Sequence, residues 1–272
     1  MITGSIVNKV YKKRKDWSQK YDFGSLLIIG GSKMYHGAPA LAALAALRTG
    51  VDLVTVVAPE RAANAIASIS PDIITYPLKG DRITRLHSRI LEKLLKNKTA
   101  VVIGNGMGKS NDTLDAIRHF LRKNKLPAVI DADAIHAVVK DKSVIKKNDI
   151  LTPHFHEFYI LTGIKAAINL DSTVKNASRR INSTILLKGH VDTISDGTKV
   201  ETNKTGDTFM TKGGTGDTLA GICGSLLAQG IPSFEAACAA AYINGKAGNL
   251  AARDNKQAML ATDLVNKIVD VL

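Results

Sequence analysis

Residues 212–230, KGGTGDTLAGICGSLLAQG, decide how the rest of the sequence is interpreted. Three glycines stand just before an apolar run of helical length, and Asp217 lies at the start of that run. A glycine-rich turn before a helix binds anions, because free backbone N–H groups and the positive end of the helix dipole point outward. A carboxylate would repel a phosphate in such a turn unless it acts on an uncharged hydroxyl beside it. The stretch is therefore typical of phosphoryl transfer to an alcohol.

Short apolar runs alternate with helix-length segments along most of the chain. The predicted strands are residues 26–29, 53–57, 100–103, 128–130, 150–151 and 184–187. The predicted helices are residues 38–48, about 111–122, 217–229, 233 to about 253, and 262–272. Residues 191–195 and 199–203 flank an Asp-Gly pair and indicate a hairpin. This alternation predicts an α/β fold, with a mostly parallel sheet covered by helices on both faces.

Polar or glycine-rich clusters follow the predicted strands. They cover residues 30–37, 104–108, 131–133, 152–157, 188–192 and 213–217. Ligands bind beyond the carboxyl ends of parallel strands, so we expect these clusters to converge on one edge of the sheet. Asp131 and Asp133 at one strand end either hydrogen-bond a ligand or cap the next helix.

The composition is ordinary for a globular protein, at 45% hydrophobic and 22% charged residues in 272. No apolar run approaches the roughly 20 residues that span a bilayer. The basic N-terminus lacks the apolar stretch of a secretory signal. We therefore expect a cytoplasmic protein that does not enter a membrane. Cys223 and Cys238 lie in Ala/Leu-rich helical stretches, which predicts buried free thiols.

The net charge of +13 raises the alternative of a nucleic-acid-binding or regulatory module. Cations cluster near the start at Lys9, Lys12, Lys13, Arg14 and Lys15. Aromatic residues make up only 5% of the chain, and no stacking motif of an RNA-binding module is present. Such a module also gives no reason for the glycine–aspartate turn. We expect a solvated basic surface and no nucleic-acid partner.

Two familiar phosphate motifs are absent from the sequence. A P-loop requires Gly-Lys-Ser/Thr after its first glycine and four residues, but here Asp217 follows Gly216. The dinucleotide fingerprint GxGxxG has only its first half at residues 104–106, and position 109 is lysine. Redox use of a dinucleotide is not supported, although a dinucleotide can still bind as a substrate.

Six segments of the sequence together resemble those of a known protein family. They are LLIIGGSKMYHGAPALAALAALRTGVDLVTVVAP, GNGMG, VIDADAI, LTPHFHEF, LLKGHVDTI and GGTGDTLAG, in this order. The last resembles the anion-hole signature of the ribokinase-like superfamily. The set resembles the ADP/ATP-dependent NAD(P)H-hydrate dehydratases, from about residue 21 to the last helices.

The resemblance implies a ribokinase-like three-layer α/β/α sandwich with a mostly parallel central sheet. It further implies one domain over residues 1–272, with a basic segment at about 1–20, and a homo-oligomer, specifically a tetramer. In many organisms an epimerase domain precedes this one. We do not expect that domain in a chain of 272 residues, which leaves room for a separate epimerase.

The implied reaction is dehydration of the S-epimer of NADHX or NADPHX, the hydrates of NADH and NADPH. ADP or ATP phosphorylates the ring hydroxyl, and phosphate then leaves. Gly214, Thr215 and Gly216 would donate N–H groups to the moving phosphoryl group. Asp217 would contact the hydrate and take the hydroxyl proton. The structural alternative for Asp217 is the N-cap of its helix. The alternative function is a small-alcohol kinase of the same superfamily, for hydroxyethylthiazole, hydroxymethylpyrimidine or a sugar.

The resemblance also implies contacts from Ala38, Gly108 and His154 to the hydrate, and an indirect role for Glu157 in organising Mg²⁺ at the nucleotide phosphates. The family usually has Pro-Gly after the histidine, where this chain has Phe-His. The structural alternatives are that His154 only caps its helix and that Glu157 is a first-turn acid that complements the helix dipole. For Ala38 the structural alternative is a plain helix start, and for Gly108 it is a tight turn.

The segment KGHVD ends a predicted strand and is implied to bind the adenine nucleotide. Its residues are Lys188, Gly189, His190, Val191 and Asp192. Lys188 is the expected phosphate cation, with a surface lysine as the alternative. Asp192 stands where the family's Lys-Gly-x-x-Thr has threonine.

Overall fold

One nine-stranded sheet forms the centre of the computed structural model, which describes residues 1–11, 13–165 and 169–272. Lys12 of the basic cluster lies outside the described residues. The strands are β1 Ser25–Ile29, β2 Leu53–Pro59, β3 Ile74–Leu78, β4 Ala100–Ile103, β5 Ala128–Ile130, β6 Ile150–Leu151, β7 Thr184–Leu187, β8 Asp192–Ser195 and β9 Val200–Asn203. Their order is β3-β2-β1-β4-β5-β6-β7-β8-β9. Neighbours from β3 to β7 pair in parallel, whereas the pairs β7–β8 and β8–β9 are antiparallel. The predicted hairpin is confirmed.

Helices cover both faces of the sheet. They are α1 Ser5–Val10, α2 Gly37–Arg48, α3 Glu60–Ala67, α4 Ser88–Leu94, α5 Asn111–Lys123, α6 Asp133–Val139, α7 Phe155–Thr162, α8 Leu170–Ile181, α9 Thr215–Ala228, α10 Ser233–Asn255 and α11 Ala261–Lys267. Successive β1 side chains point to opposite faces. Leu26 and Ile28 pack with α2, α9 and α10, whereas Leu27 and Ile29 pack with α5 and α6. The three-layer α/β/α sandwich is confirmed.

The structure departs from the sequence predictions at the edges of the fold. β3, which the apolar pattern did not indicate, is an edge strand whose Ile74 and Tyr76 side chains are exposed. The basic N-terminal segment begins with α1, and its Val7 and Val10 are buried in the core beside α10. The last predicted helix ends early, at Lys267, and continues as a short 3₁₀ turn.

The helices α9 and α10 contain both cysteines. Cys223 and Cys238 are free and buried, as predicted, and burial raises the pKa of both thiols. Within the described ranges, neither of these helices nor any other is long and apolar enough to cross a bilayer.

Candidate active site

The predicted convergence of polar clusters is confirmed at the carboxyl edge of the sheet. Asp131, after β5, is 2% exposed and lies at the centre of the cluster. It accepts hydrogen bonds from Thr152 Oγ1 at 2.7 Å, after β6, and from Lys188 Nζ at 3.0 Å, after β7. Asn105, after β4, donates from Nδ2 to Asp131 at 3.0 Å and to Asp217 Oδ1 at 2.6 Å. Four strand ends and the first turn of α9 therefore share one hydrogen-bonded network.

Asp217 is the third residue of α9, because the helix begins at Thr215 and its N-cap is Gly214. The N-cap alternative for Asp217 is therefore wrong. Burial and then the charge of Asp131 raise the pKa of Asp217 to about 6, against the hydrogen bond from Asn105 and the charge of Lys188. The carboxylate is mostly ionised at neutral pH, yet it retains enough proton affinity to act as a base.

Lys188 places a nearly buried cation beside the glycine turn. Its side chain is 21% exposed, so the surface-lysine alternative is wrong. Burial alone would lower the pKa of Lys188, but the carboxylates of Asp131, Glu157 and Asp217 outweigh that effect and raise it. Its Nζ lies 3.4 Å from the position that a Cβ on Gly216 would occupy. An ammonium group so close to free backbone N–H groups favours a phosphate ligand.

His154 and Glu157 form a reciprocal cap at the start of α7. His154 Nδ1 accepts from the backbone N–H groups of His156 and Glu157, each at 3.2 Å, and Glu157 Oε2 accepts from His154 N at 2.9 Å. The capping alternatives are therefore confirmed. Burial and the charge of Lys188 lower the pKa of His154, which favours the neutral imidazole. The ring is still 53% exposed, so its contact with a hydrate stays a prediction.

Ala38 and Gly108 flank the loop that holds Asn105. Ala38 lies in the first turn of α2, and its Cβ is 3.3 Å from where a Cβ on Gly106 would lie. Gly108 N donates to Asp133 at 2.7 Å. The N-cap position of α6 belongs to Ala132, without a side-chain bond, so capping by Asp131 or Asp133 is wrong.

A cavity of about 630 Å³ opens beside Lys188, within the size range of small-molecule sites. Six of the eight predicted nucleotide residues line it: Lys188, Gly189, His190, Asp192, Thr215 and Gly216. Val191 and Gly214 are not among its lining residues. Residues of the loop 204–211 and of α10 form other walls.

Asp192 stabilises the loop between β7 and β8 through hydrogen bonds of its side chain. It is itself the first residue of β8, and its carboxylate accepts from Gly189 N at 3.1 Å and from Asn203 Nδ2 at 3.0 Å. Burial raises the pKa of Asp192. The acid at the family's threonine position thus bonds Gly189 N and the Asn203 side chain, while its contact with a nucleotide stays a prediction.

The sequence did not identify Asn105 and Asn244 as site residues. Asn105 lies in the quoted GNGMG segment, but nothing in the sequence pairs it with Asp217. Asn244 of α10 accepts from Thr218 Oγ1 at 2.7 Å and donates to Thr215 O at 3.3 Å, so it anchors the first turn of α9. The loop 204–211 follows the hairpin and carries no recognisable motif.

The part of the chain that the structure describes holds no group of three or more His, Cys, Asp or Glu side chains placed to bind a metal. Glu157 is 6% exposed and already accepts from His154 N. Mg²⁺ usually keeps several waters and binds one or two carboxylates together with substrate phosphates. The residues present fit an ion that is carried by phosphates, and do not fit an all-protein cage.

Comparison with known proteins agrees with this geometry. A family model described as NAD(P)H-hydrate dehydratase matches residues 26–270. The ADP-dependent (S)-NAD(P)H-hydrate dehydratase of Cenarchaeum symbiosum is 36% identical, over 100% of this chain and 96% of its own length. The Bacillus subtilis ADP/ATP-dependent NAD(P)H-hydrate dehydratase, co-crystallised with ATP/Mg²⁺, superposes with a TM-score of 0.84 at 25% identity, over 99% of this chain and 96% of that one.

The bifunctional NAD(P)H-hydrate repair enzyme of Pyrobaculum aerophilum is 41% identical over 96% of this chain, which covers 53% of that protein. The chain spans about half the length of several curated relatives of this kind. The match of the family model to nearly the whole sequence shows that this chain belongs to the NAD(P)H-hydrate dehydratase family.

Proposed function

We propose that this chain dehydrates the S-epimer of NADHX or NADPHX to NADH or NADPH, driven by hydrolysis of ADP or ATP. One observation carries the proposal. Asp217, with a pKa raised to about 6, stands in the same hydrogen-bonded network as Lys188, which borders both the glycine turn and the cavity. A base and a phosphate-binding cation on either side of a glycine turn suit transfer of a phosphoryl group to a hydroxyl.

The nucleotide would occupy the cavity with its terminal phosphate toward Lys188. Thr215 and Gly216 line that end, and their N–H groups belong to the first turn of α9, where four backbone donors lack helical partners. These donors and the Lys188 ammonium would stabilise charge on the moving phosphoryl group. We also assign Gly214 and Val191 to the nucleotide loops, by resemblance alone.

The hydrate would lie on the other side of Asp217, against Ala38, Gly108 and His154. Asp217 would take the proton of the ring hydroxyl while the hydroxyl oxygen attacks the terminal phosphorus. The P–O bond to the rest of the nucleotide breaks, which releases AMP from ADP or ADP from ATP. Phosphate then leaves the ring carbon and a proton leaves the neighbouring ring carbon, which forms the C=C bond and restores the dihydronicotinamide of NADH or NADPH. The phosphate ester thus serves as the leaving group.

Mg²⁺ would arrive on the nucleotide phosphates and supply positive charge to them. Glu157 would face it through water, since its own carboxylate already accepts from the backbone of His154. We further propose a single domain over residues 1–272, cytoplasmic location and a homotetramer.

The test is recovery of the reduced-nicotinamide absorbance when the protein is incubated with purified (S)-NADHX or (S)-NADPHX and either ADP or ATP. We expect recovery that depends on the nucleotide, and loss by at least about a hundredfold in Asp217→Asn, as for removal of a general base. Activity of Asp217→Asn within a few-fold of the unmodified protein would contradict its role.

The two alternatives have their own assays. A small-alcohol kinase would phosphorylate hydroxyethylthiazole or a sugar and would leave the hydrates unchanged. A nucleic-acid-binding module would retain DNA or RNA on a filter with a steep dependence on salt. Either result, without recovery of the absorbance, would overturn the proposed dehydration.

A further inference from the structure

Asn105 is held in place by its neighbours before its side chain makes any contact. Its carbonyl oxygen accepts from Gly31 N at 2.8 Å, which ties the loop after β4 to the loop after β1. Gly104 has φ +125°, and a Cβ there would lie 1.8 Å from Asp131 O. Only glycine allows the chain to pass that close to β5. The side chain of Asn105, 0% exposed, is thereby fixed between Asp131 and α9.

The amide group of Asn105 uses its donor atom on two acids at once. Nδ2 donates to Asp217 Oδ1 at 2.6 Å and to Asp131 Oδ2 at 3.0 Å. Its Oδ1 is buried and has no hydrogen-bond partner among the described residues, which carries an energetic cost. Rotation of the amide would not relieve that cost, because the oxygen would then face two carboxylates. Both N–H bonds favour carboxylates that are ionised.

The charged groups that face Asp217 come from two strand ends, those of β5 and β7. Asp131 and Asp133 follow β5, and their negative charges favour the protonated form of Asp217. Lys188 follows β7 and favours the ionised form. Lys188 is hydrogen-bonded to Asp131, at 3.0 Å, so much of its charge is already balanced there. Asn105 is the group that bonds Asp217 directly.

We propose that Asn105 is a positioning residue, which aims the Asp217 carboxylate and keeps it ionised at neutral pH beside a second buried carboxylate. The proposal rests on the proposed function, in which Asp217 is the base. Without Asn105, burial and the charge of Asp131 would act on Asp217 with only Lys188 to oppose them. Asp217 would then stay protonated at the pH at which it has to accept the hydroxyl proton.

The decisive experiment is the dependence of kcat on pH in Asn105→Ala. We expect the acid limb to move up by about one pH unit, as for a lost hydrogen bond to a carboxylate. The loss of kcat should therefore be several-fold larger at pH 6 than at pH 8. The KM for ADP should stay within about twofold, because Asn105 does not line the cavity.

A matched control is Asn124→Ala. Asn124 is 1% exposed, and within the described part of the chain its amide bonds to the backbone of Leu126 alone. Its removal should lower the unfolding temperature without moving the acid limb. Asn105→Ser retains one hydroxyl donor, so it should move the acid limb by a smaller amount than Asn105→Ala. It replaces the alanine variant in this test if that variant folds poorly. Asn105→Asp adds a further carboxylate beside Asp217 and should move the acid limb furthest.

A second readout does not depend on activity. The carboxyl ¹³C resonance of Asp217, assigned by its absence in Asp217→Asn, should titrate at higher pH in Asn105→Ala than in the unmodified protein. Equal loss of kcat at every pH, with an unchanged ¹³C titration, would overturn the proposal. If the unmodified protein does not recover the reduced-nicotinamide absorbance, the proposed function fails instead, and the ¹³C titration still reports whether Asn105 controls the proton of Asp217.

Discussion

Asp217 combines two requirements that oppose each other. Its chemistry needs an ionised carboxylate, whereas its buried position beside Asp131 favours the protonated form. A folded-state pKa of about 6 against an ordinary 3.8 means that the folded protein binds this proton more tightly than the unfolded chain. Folding stability contributed by this group is therefore full at low pH and is lost as pH rises through about 4 to 6.

We accordingly predict that Asp217→Asn is more stable than the unmodified protein at pH 7.5, by roughly 1–3 kcal/mol. The two should converge at about pH 3 and below, where most of the carboxyl is protonated in both the folded and the unfolded protein. Urea unfolding at the two pH values measures this difference. Asp149, with a pKa also raised to about 6 by burial, is common to both proteins and cancels in the comparison. Lower stability of Asp217→Asn at pH 7.5 would contradict the prediction.

His154 has a structural and a proposed binding role, which one substitution can separate. Asparagine is a good N-cap, so His154→Asn should preserve the cap of α7 and leave the unfolding temperature nearly unchanged. It removes the exposed part of the ring, so the KM for the hydrate should rise by about tenfold or more. His154→Ala should lose both the cap of α7 and the contact with the hydrate, and loss of the cap should lower the free energy of unfolding by about 1 kcal/mol. Steady-state kinetics and thermal unfolding distinguish the two roles, and an unchanged KM in both variants would remove the binding role.

At the scale of elements, close packing of α9 decides where Asp217 lies. A Cβ on Gly221 would lie 2.1 Å from the carbonyl oxygen of Ala42 in α2. A Cβ on Gly224 would lie 2.3 Å from Val102 Cγ2 in β4. The two glycines let α9 approach both its neighbouring helix and the sheet. The first turn of α9 is thereby brought within hydrogen-bond reach of the loop after β4.

We predict that Gly221→Ala destabilises the protein by about 2 kcal/mol, because backbone atoms of α2 cannot yield to the added methyl group. Gly213→Ala is the matched control, since no atom of the residues that the structure describes lies within 4 Å of its added Cβ. Denaturant unfolding of both variants tests this, and comparable stabilities for the two would show that α9 and α2 can separate without cost.

For the whole molecule, the sheet edge divides the predicted ligand contacts between two regions. Lys188 and Thr215 line the cavity, whereas Ala38 and Gly108 adjoin the loop of Asn105. We expect ADP and NADPH each to raise the unfolding temperature alone, and to raise it further together, because two ligands that bind separate sites of the folded state both stabilise it. A thermal-shift panel of ADP, ATP, NADH and NADPH tests this. Mutual exclusion of the two ligands would contradict separate regions.

Local patterns made much of this protein predictable. The alternation of apolar strands and helix-length segments reflects burial on both sheet faces, and it led to six strands, the hairpin and the layer order. The glycines before α9 indicated an anion site for a reason that is also local, since the donors belong to one turn. β3 escaped prediction because an edge strand with exposed side chains lacks a continuous apolar run.

What the tertiary structure alone decided is the partner and the proton affinity of Asp217. Its hydrogen bond comes from Asn105, 112 residues earlier in the chain, and its neighbouring charges come from two other strand ends. The sequence determined the sheet, the turn and the family, because these depend on residue types at short spacing. The state of the carboxylate depends on burial and on distances through space, which exist only once α9 has packed against α2 and the loops after β4, β5 and β7 have met.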